Sequence, residues 1–181
     1  GAWKYWYING NKAQETFFKE DRPDSTWTGW HDSGKIKSTE IYIAGKKEGI
    51  WIYYYENGQK ESEGNFKNNL AEGNYTGWYS NGNKQKEGQY KNDLQTGLWK
   101  EYFRSGKPKQ ELQYEKEEVL LMNLWFETGE QPIKNGNGKF TMVYDNRKKK
   151  GEGNYKDGRM DGEWLFYMTS GEKDFKVNYV K

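Results

Sequence analysis

One unit of about 24 residues returns along this chain, and that periodicity constrains its fold more than any other feature. The clearest copy, GIWIYYYENGQKESEGNFKNNLAEG, runs from Gly49 to Gly73. With Gly49 as position 0, Trp51 stands at +2, Tyr54 and Tyr55 at +5 and +6, Asn57-Gly58 at +8 and +9, Glu63 at +14 and Phe66 at +17. Copies begin at Gly1, Ser25, Gly49, Gly73, Gly97, Leu120, Gly138 and Gly162, and the copy at 120–137 is shortened to 18 residues. A unit this small cannot bury an apolar face alone, so neighbouring units must stack. The expectation is one repeat domain over residues 1–181.

The punctuation inside each copy points to strands. Glycine recurs at +9 in every copy except the seventh, where Arg147 stands, and the residue before it is Asn, Ser or Thr. Asn-Gly between two aromatic-rich runs signals a hairpin, because both residues tolerate the positive φ of a two-residue type I′ loop. A second turn falls at +19 and +20, as in Asn68-Asn69, Asn92-Asp93 and Asp157-Gly158. Each copy therefore reads as one β-hairpin, and the chain as an open, twisted, antiparallel all-β meander of about fifteen strands. If both loops hold two residues, +2 pairs with +15 and 0 with +17, setting Trp51 across from Gly64, Phe66 across from Gly49 and Tyr75 across from Gly88. Rings laid over cross-strand glycines pin register.

Composition supports a thin sheet held by rings. Leu, Ile, Val and Phe together number 27 of 181 residues, while Trp and Tyr number 9 and 15. So few aliphatics would suit a disordered chain if the net charge were high, but it is +2. With no cysteine, disulfides, thiolate nucleophiles and Cys-ligated metals are excluded. No apolar run reaches the roughly 18 residues of a membrane helix. The chain opens Gly-Ala; a chain trimmed of an export signal would look like this, which slightly favours an exported or envelope-associated protein.

The repeat pattern GxWxxYYxNGxxxxEGxYKNGxxxG resembles the MORN repeat (membrane occupation and recognition nexus). It is most similar to the bacterial variant often assigned as the antitoxin component of a toxin–antitoxin pair. The resemblance rests on Gly49 to Gly73, Gly73 to Gly97, Gly97 to Tyr114, and Glu152 to Gly158 through Trp164. It implies an elongated hairpin meander with roles in protein binding, scaffolding and dimerisation, a disputed role at phospholipid surfaces, and no enzymatic activity without a fused domain.

Candidate sites compete with plainer readings. The ring-rich face carrying Trp3, Trp27, Trp51, Tyr55, Tyr75, Tyr79, Trp99, Phe103 and Trp164 is the leading candidate for binding a partner protein, with an antitoxin-like or immunity-like role as the sharpest form. Stacked rings also suit a glycan or the cell envelope. The basic run Arg147, Lys148, Lys149 and Lys150 suits an anionic lipid surface or acidic partner, although a basic hairpin tip is usually a solvated turn. The small net charge argues against nucleic acid. His31, the sole histidine, stands where other copies have Tyr7, Tyr55 and Tyr79, which makes it an aromatic slot-filler. The glutamates at +14 form a ladder; identical repeats give each the same environment, whereas catalytic pairs need two. No catalytic residue, metal site or cofactor is expected. The run from Val119 to Phe126 is either a bend or a dimer contact.

Overall fold

The computed structural model describes residues 1–180. The chain divides into two compact units, Gly1–Gly106 and the residues from Lys107 onward. Among the described residues there is no helix. The first unit is an open antiparallel meander of nine principal strands: Ala2–Trp6, Lys12–Lys19, Ser25–Trp30, Ile36–Ile43, Gly49–Tyr54, Lys60–Lys67, Leu70–Trp78, Lys84–Lys91 and Leu94–Tyr102. Two-residue strands at Arg22–Pro23 and Lys46–Lys47 lead into the second and third copies. The second unit holds the hairpin Pro108–Glu115 with Glu118–Leu124, then a four-stranded meander of Gly138–Val143, Lys149–Lys156, Arg159–Tyr167 and Lys173–Tyr179.

The register within each hairpin is the expected one: Gly49 pairs with Phe66, Trp51 with Gly64, and Tyr75 with Gly88. The loop that produces it differs. The Gly58 N–H donates to the Tyr55 carbonyl and the Tyr55 N–H to the Gln59 carbonyl, both at 2.8 Å. Of Asn57 and Gly58, only Gly58 has positive φ, at 86°. The first loop is therefore three residues, a type I turn closed by a left-handed residue, and not the two-residue type I′ turn expected there. An odd loop shifts register by one, and a bulge restores it. Tyr54 pairs with Lys60 but Tyr53 with Ser62, leaving Glu61 unopposed. Ala13, Lys37, Gln85, Lys150 and Asp174 are unopposed in the same way.

The type I′ geometry occurs instead at the second turn, where both central residues are left-handed: Asn68 and Asn69 at φ 51° and 75°, Asn92 and Asp93 at 51° and 67°. Asn and Asp accept this conformation at little cost because their short polar side chains bond locally. At the +9 position Arg147 adopts φ 65° where the other copies use glycine.

The shortened sixth copy keeps both turns and loses most of a strand. Phe126 and Glu130 close a first turn like the others, but the return strand is reduced to a bridge between Ile133 and Leu124 before the chain turns again at Asn135-Gly136. That turn docks on backbone: the Gly136 N–H donates to the Met122 carbonyl (2.6 Å) and the Gly158 N–H to the Gly136 carbonyl (2.9 Å). A Cβ on Gly136 would lie 2.5 Å from the Gly158 nitrogen, so only glycine permits the approach. Ile133 is fully buried here, Leu120 nearly so, and Arg159 pairs with both carboxylate oxygens of Glu118. The run from Val119 to Phe126 thus splits, with Leu120 packed inside and Val119 half exposed.

Candidate functional site

Two of the expected face's components separate in the structure. The +2 rings join the +17 rings in a continuous row. Trp3, Phe18, Trp27, Tyr42, Trp51 and Phe66 follow one another with centroids 4.5–6.1 Å apart. Tyr75, Tyr90 and Trp99 form a second run at 5.1–5.9 Å. In the second unit the +17 ring of Tyr155 and the +2 ring of Trp164 lie 5.5 Å apart, and Phe166 and Phe175, at other positions of the repeat, extend that run at 6.2 and 4.8 Å.

Membership of this row does not mean exposure. Trp51, Trp99 and Trp164 are 4%, 2% and 0% exposed, whereas Trp3 at one end is 58% exposed. The buried indoles lie on the preceding strand: a Cβ on Gly88 would collide with Trp99, and one on Gly153 with Trp164. Where a glycine lies beneath the ring, as under Trp99 and Trp164, it therefore belongs to the repeat before it, and the ring over Gly64 is that of Tyr75, not Trp51. The indole N–H is then delivered to a backbone carbonyl ten residues back, Ile41 for Trp51, Gln89 for Trp99 and Asn154 for Trp164, at 3.0–3.1 Å. The Ile41 carbonyl takes the Glu48 N–H as well, using both lone pairs. Trp27 is the exception, its indole N–H buried without an acceptor.

The +6 residues work at the turn end as inter-repeat staples. The hydroxyls of Tyr7, Tyr55, Tyr79 and Tyr144 each donate to the carbonyl 23 residues ahead, at 2.7–2.9 Å. His31 makes the same bridge to the Tyr54 carbonyl through Nε2 at 2.9 Å, with Nδ1 3.0 Å from Glu56, as expected of a slot-filler. Phe103 is half-buried and has no hydroxyl to offer. Asn57, Asn81 and Asn146 add a second staple to the next turn, their amides donating to the carbonyls of Ser80, Arg104 and Thr169.

Charged candidates are largely engaged. The +14 glutamates Glu15, Glu63, Glu87 and Glu152 each accept a lysine three residues back, such as Lys84 to Glu87 at 2.6 Å and Lys149 to Glu152 at 2.9 Å, whereas Glu111, with Pro108 in that place, accepts the Asn123 amide. Tyrosines of the following copy cap the other oxygen, Tyr102 on Glu87 and Tyr167 on Glu152. Lys84 first and Tyr102 second hold the Glu87 carboxyl below its ordinary range; for Glu152 the order is Tyr167, then Lys149. At Glu87 and Glu152 two donors are committed to each carboxylate, a structural use of the ladder. Within the basic run, Lys148 donates to the Ser170 carbonyl, Lys149 pairs with Glu152, and Lys150 lies over the Tyr144 ring at 5.8 Å. Among the described residues no cluster of acidic or histidine side chains forms a metal site.

Between the two runs of rings in the first unit lies a cavity of about 300 Å³. Trp51, Phe66, Tyr75 and Tyr90 wall it, Gly64 and Asn65 lie beneath, and Asp93 stands at its edge with Oδ1 accepting the Ala71 N–H at 2.6 Å. Burial raises the Tyr75 hydroxyl above its ordinary pKa. The signal for this site was present in the sequence: Tyr75 occupies the +2 position where the copies on either side have tryptophan.

Compared with known families, three consecutive segments, residues 47–68, 71–92 and 95–116, match the model described as MORN repeat variant. These copies support the MORN repeat family, a non-enzymatic scaffold type that commonly mediates protein or membrane-lipid interactions. No curated protein matches the chain.

Proposed function

We propose that the whole chain is a non-enzymatic MORN-like scaffold that binds a partner protein along the row of +2 and +17 rings, with neutralisation of that partner, as by an antitoxin or immunity protein, as its sharpest form. The observation that carries this is the open half of the row. Trp3 and Tyr5 are about half exposed at one end, and Tyr75 and Tyr90 border the cavity in the middle. Half-exposed rings on a rigid sheet give large contact area with little ordering entropy, the profile of interface anchors. The buried Trp99 acts as support for Tyr75 and Tyr90.

The test is capture of a partner followed by reconstitution with that partner purified. Trp3→Ala with Tyr5→Ala removes exposed contact area and leaves the buried indoles in place. Loss of about tenfold or more in affinity, with an unchanged circular dichroism spectrum, supports the reading. Unchanged affinity for both this variant and Tyr75→Trp refutes it.

A second reading is glycan or envelope binding by the same rings, favoured by their stacking; it predicts saturable shifts in tryptophan fluorescence on adding oligosaccharides. Association with anionic membranes through Arg147 to Lys150 has less support, because three of the four side chains already have partners.

A further inference from the structure

The cavity over Gly64 is an indole slot without its indole. In the third and fifth copies the +2 residue is Trp51 or Trp99, flanked by two rings, and it donates its ring N–H to the carbonyl at +16 of the preceding copy. Trp99 in addition covers the glycine one residue earlier, Gly88. The fourth copy has the flanking rings, the glycine Gly64 and the corresponding carbonyl, that of Asn65, but brings Tyr75. Its ring lies over Gly64 with Cδ2 3.3 Å from where a Cβ would sit, and its hydroxyl reaches toward Gly77, away from Asn65. The open space beside the ring is bounded by Asn65, Ala71 and Asp93 and extends to Tyr53 and Ser62, and Tyr75 has no ring N–H to give the Asn65 carbonyl.

We propose that this cavity is a binding site for one tryptophan side chain presented by a partner polypeptide, whose indole takes the place that Trp51 and Trp99 fill in the adjoining copies. The proposal rests on the partner-binding reading above and names its anchor. Size decides between one ring system and a longer ligand: about 300 Å³ is the low end of the 300–1,000 Å³ of ligand sites. Charge decides between a neutral ring and a cation. Lys47 Nζ already lies 4.5 Å from the Trp51 centroid and 5.2 Å from that of Phe66, and Lys86 Nζ lies 5.3 Å from Tyr75. An ammonium or guanidinium entering here would meet two like charges, offset only by Asp93 at the edge, whose Oδ1 already accepts the Ala71 N–H; an indole would not. The Asn65 carbonyl selects a planar ring with an N–H at its edge, so phenylalanine loses the hydrogen bond.

The experiment is a chemical-shift titration of the ¹⁵N-labelled full chain with the peptide Ac-Ala-Trp-Ala-NH₂, repeated with the 1-methyltryptophan and phenylalanine peptides and with free indole. Saturable shifts confined to residues 51–93, about tenfold weaker for the 1-methyl and phenylalanine peptides and abolished by Tyr75→Trp, support the proposal. Tyr75→Trp fills the slot with the residue its neighbours carry, so it is expected to fold, and a thermal melt checks that. No shifts at millimolar peptide, equal binding to Tyr75→Trp, equal binding of the 1-methyl peptide, or shifts with free indole but none with the peptide each overturn it. A purified partner that binds Tyr75→Trp as tightly as the parent, yet loses affinity for the Trp3 and Tyr5 double variant, overturns the anchor and leaves the scaffold reading standing.

Discussion

Gly64 and Gly88 occupy the same +15 position in adjacent copies, yet the structure separates them sharply. Neither carries the positive φ that would itself forbid alanine, so a substitution reads the space above each residue. Above Gly88 a Cβ meets the indole of Trp99, which is 2% exposed and held by its bond to the Gln89 carbonyl. The ring must move. Overpacking costs about 1–3 kcal/mol, the displaced indole loses a hydrogen bond worth about 1 kcal/mol, and alanine returns about 0.4–1 kcal/mol through the unfolded chain, giving about 1–3.5 kcal/mol for Gly88→Ala. Above Gly64 the Cβ meets only the edge of Tyr75 at 3.3 Å, and that ring adjoins the cavity and can shift by a few tenths of an ångström. Alanine also lowers the entropy of the unfolded chain by about 0.4–1 kcal/mol, so Gly64→Ala is expected within about 0.5 kcal/mol of neutral. With a urea slope of about 2 kcal/mol/M, Gly88→Ala lowers the midpoint by about 0.5–2 M and Gly64→Ala barely moves it. A double-mutant cycle isolates the cause. In a Trp99→Tyr background, which gives the fifth copy the fourth copy's ring, the Gly88→Ala penalty should fall to that of Gly64→Ala. Equal penalties at the two glycines in the parent chain, or no coupling to Trp99, would refute the assignment of rings to the preceding strand.

Other outcomes follow from the staples and turns. Arg147→Gly removes a non-glycine residue from φ 65° and is expected to raise the melting midpoint by the equivalent of about 1 kcal/mol; a decrease would contradict the turn geometry. His31→Tyr restores the hydroxyl staple used by Tyr7 and Tyr55 and should be neutral or stabilising, while His31→Ala should cost about 1–3 kcal/mol by leaving the bridge unmade, both read by urea unfolding. Because Glu87 is held below its ordinary pKa of 4.5, it contributes stability above about pH 4.5 that is lost as pH falls through the lower folded value. Tyr102→Phe, which removes one of its donors, should therefore cost about 1 kcal/mol at pH 7 and progressively less toward about pH 3; a penalty independent of pH would show that the hydroxyl acts elsewhere.

Much of this fold was legible because the repeat makes each signal recur. The +9 glycines, the second turns and the pairing of Trp51 with Gly64 were all readable from spacing. The loop type was not: a two-residue loop and a three-residue loop followed by a bulge at Glu61 give the same pairing beyond the bulge. Nothing marks the bulge chemically, since Ala13, Lys37, Glu61, Gln85, Lys150 and Asp174 share no side-chain property. Burial of Trp51 and Trp99 was illegible for a related reason. Alternation assigns a face within one hairpin, whereas depth depends on which neighbouring strand the ring lies over. The candidate face therefore mixed supporting indoles with accessible rings such as Trp3.

In a protein built of copies, a departure from the consensus is informative only when its structural consequences are followed. His31 departs from tyrosine and keeps the bond to the carbonyl 23 residues ahead. Arg147 and Ser25 depart from glycine and still hold the left-handed conformation, at φ 65° and 80°. In these positions the fold absorbs the change, and a structural explanation is complete. Tyr75 departs from tryptophan without compensation: no other side chain fills the space beside Asn65, and the ring row opens there into the cavity. Buried space is ordinarily filled, because a void forfeits dispersion contacts on its lining. A gap kept between rings that elsewhere pack at 4.5–6.1 Å, on the accessible side of a sheet, is the position in the first unit where stability alone does not account for the residue chosen.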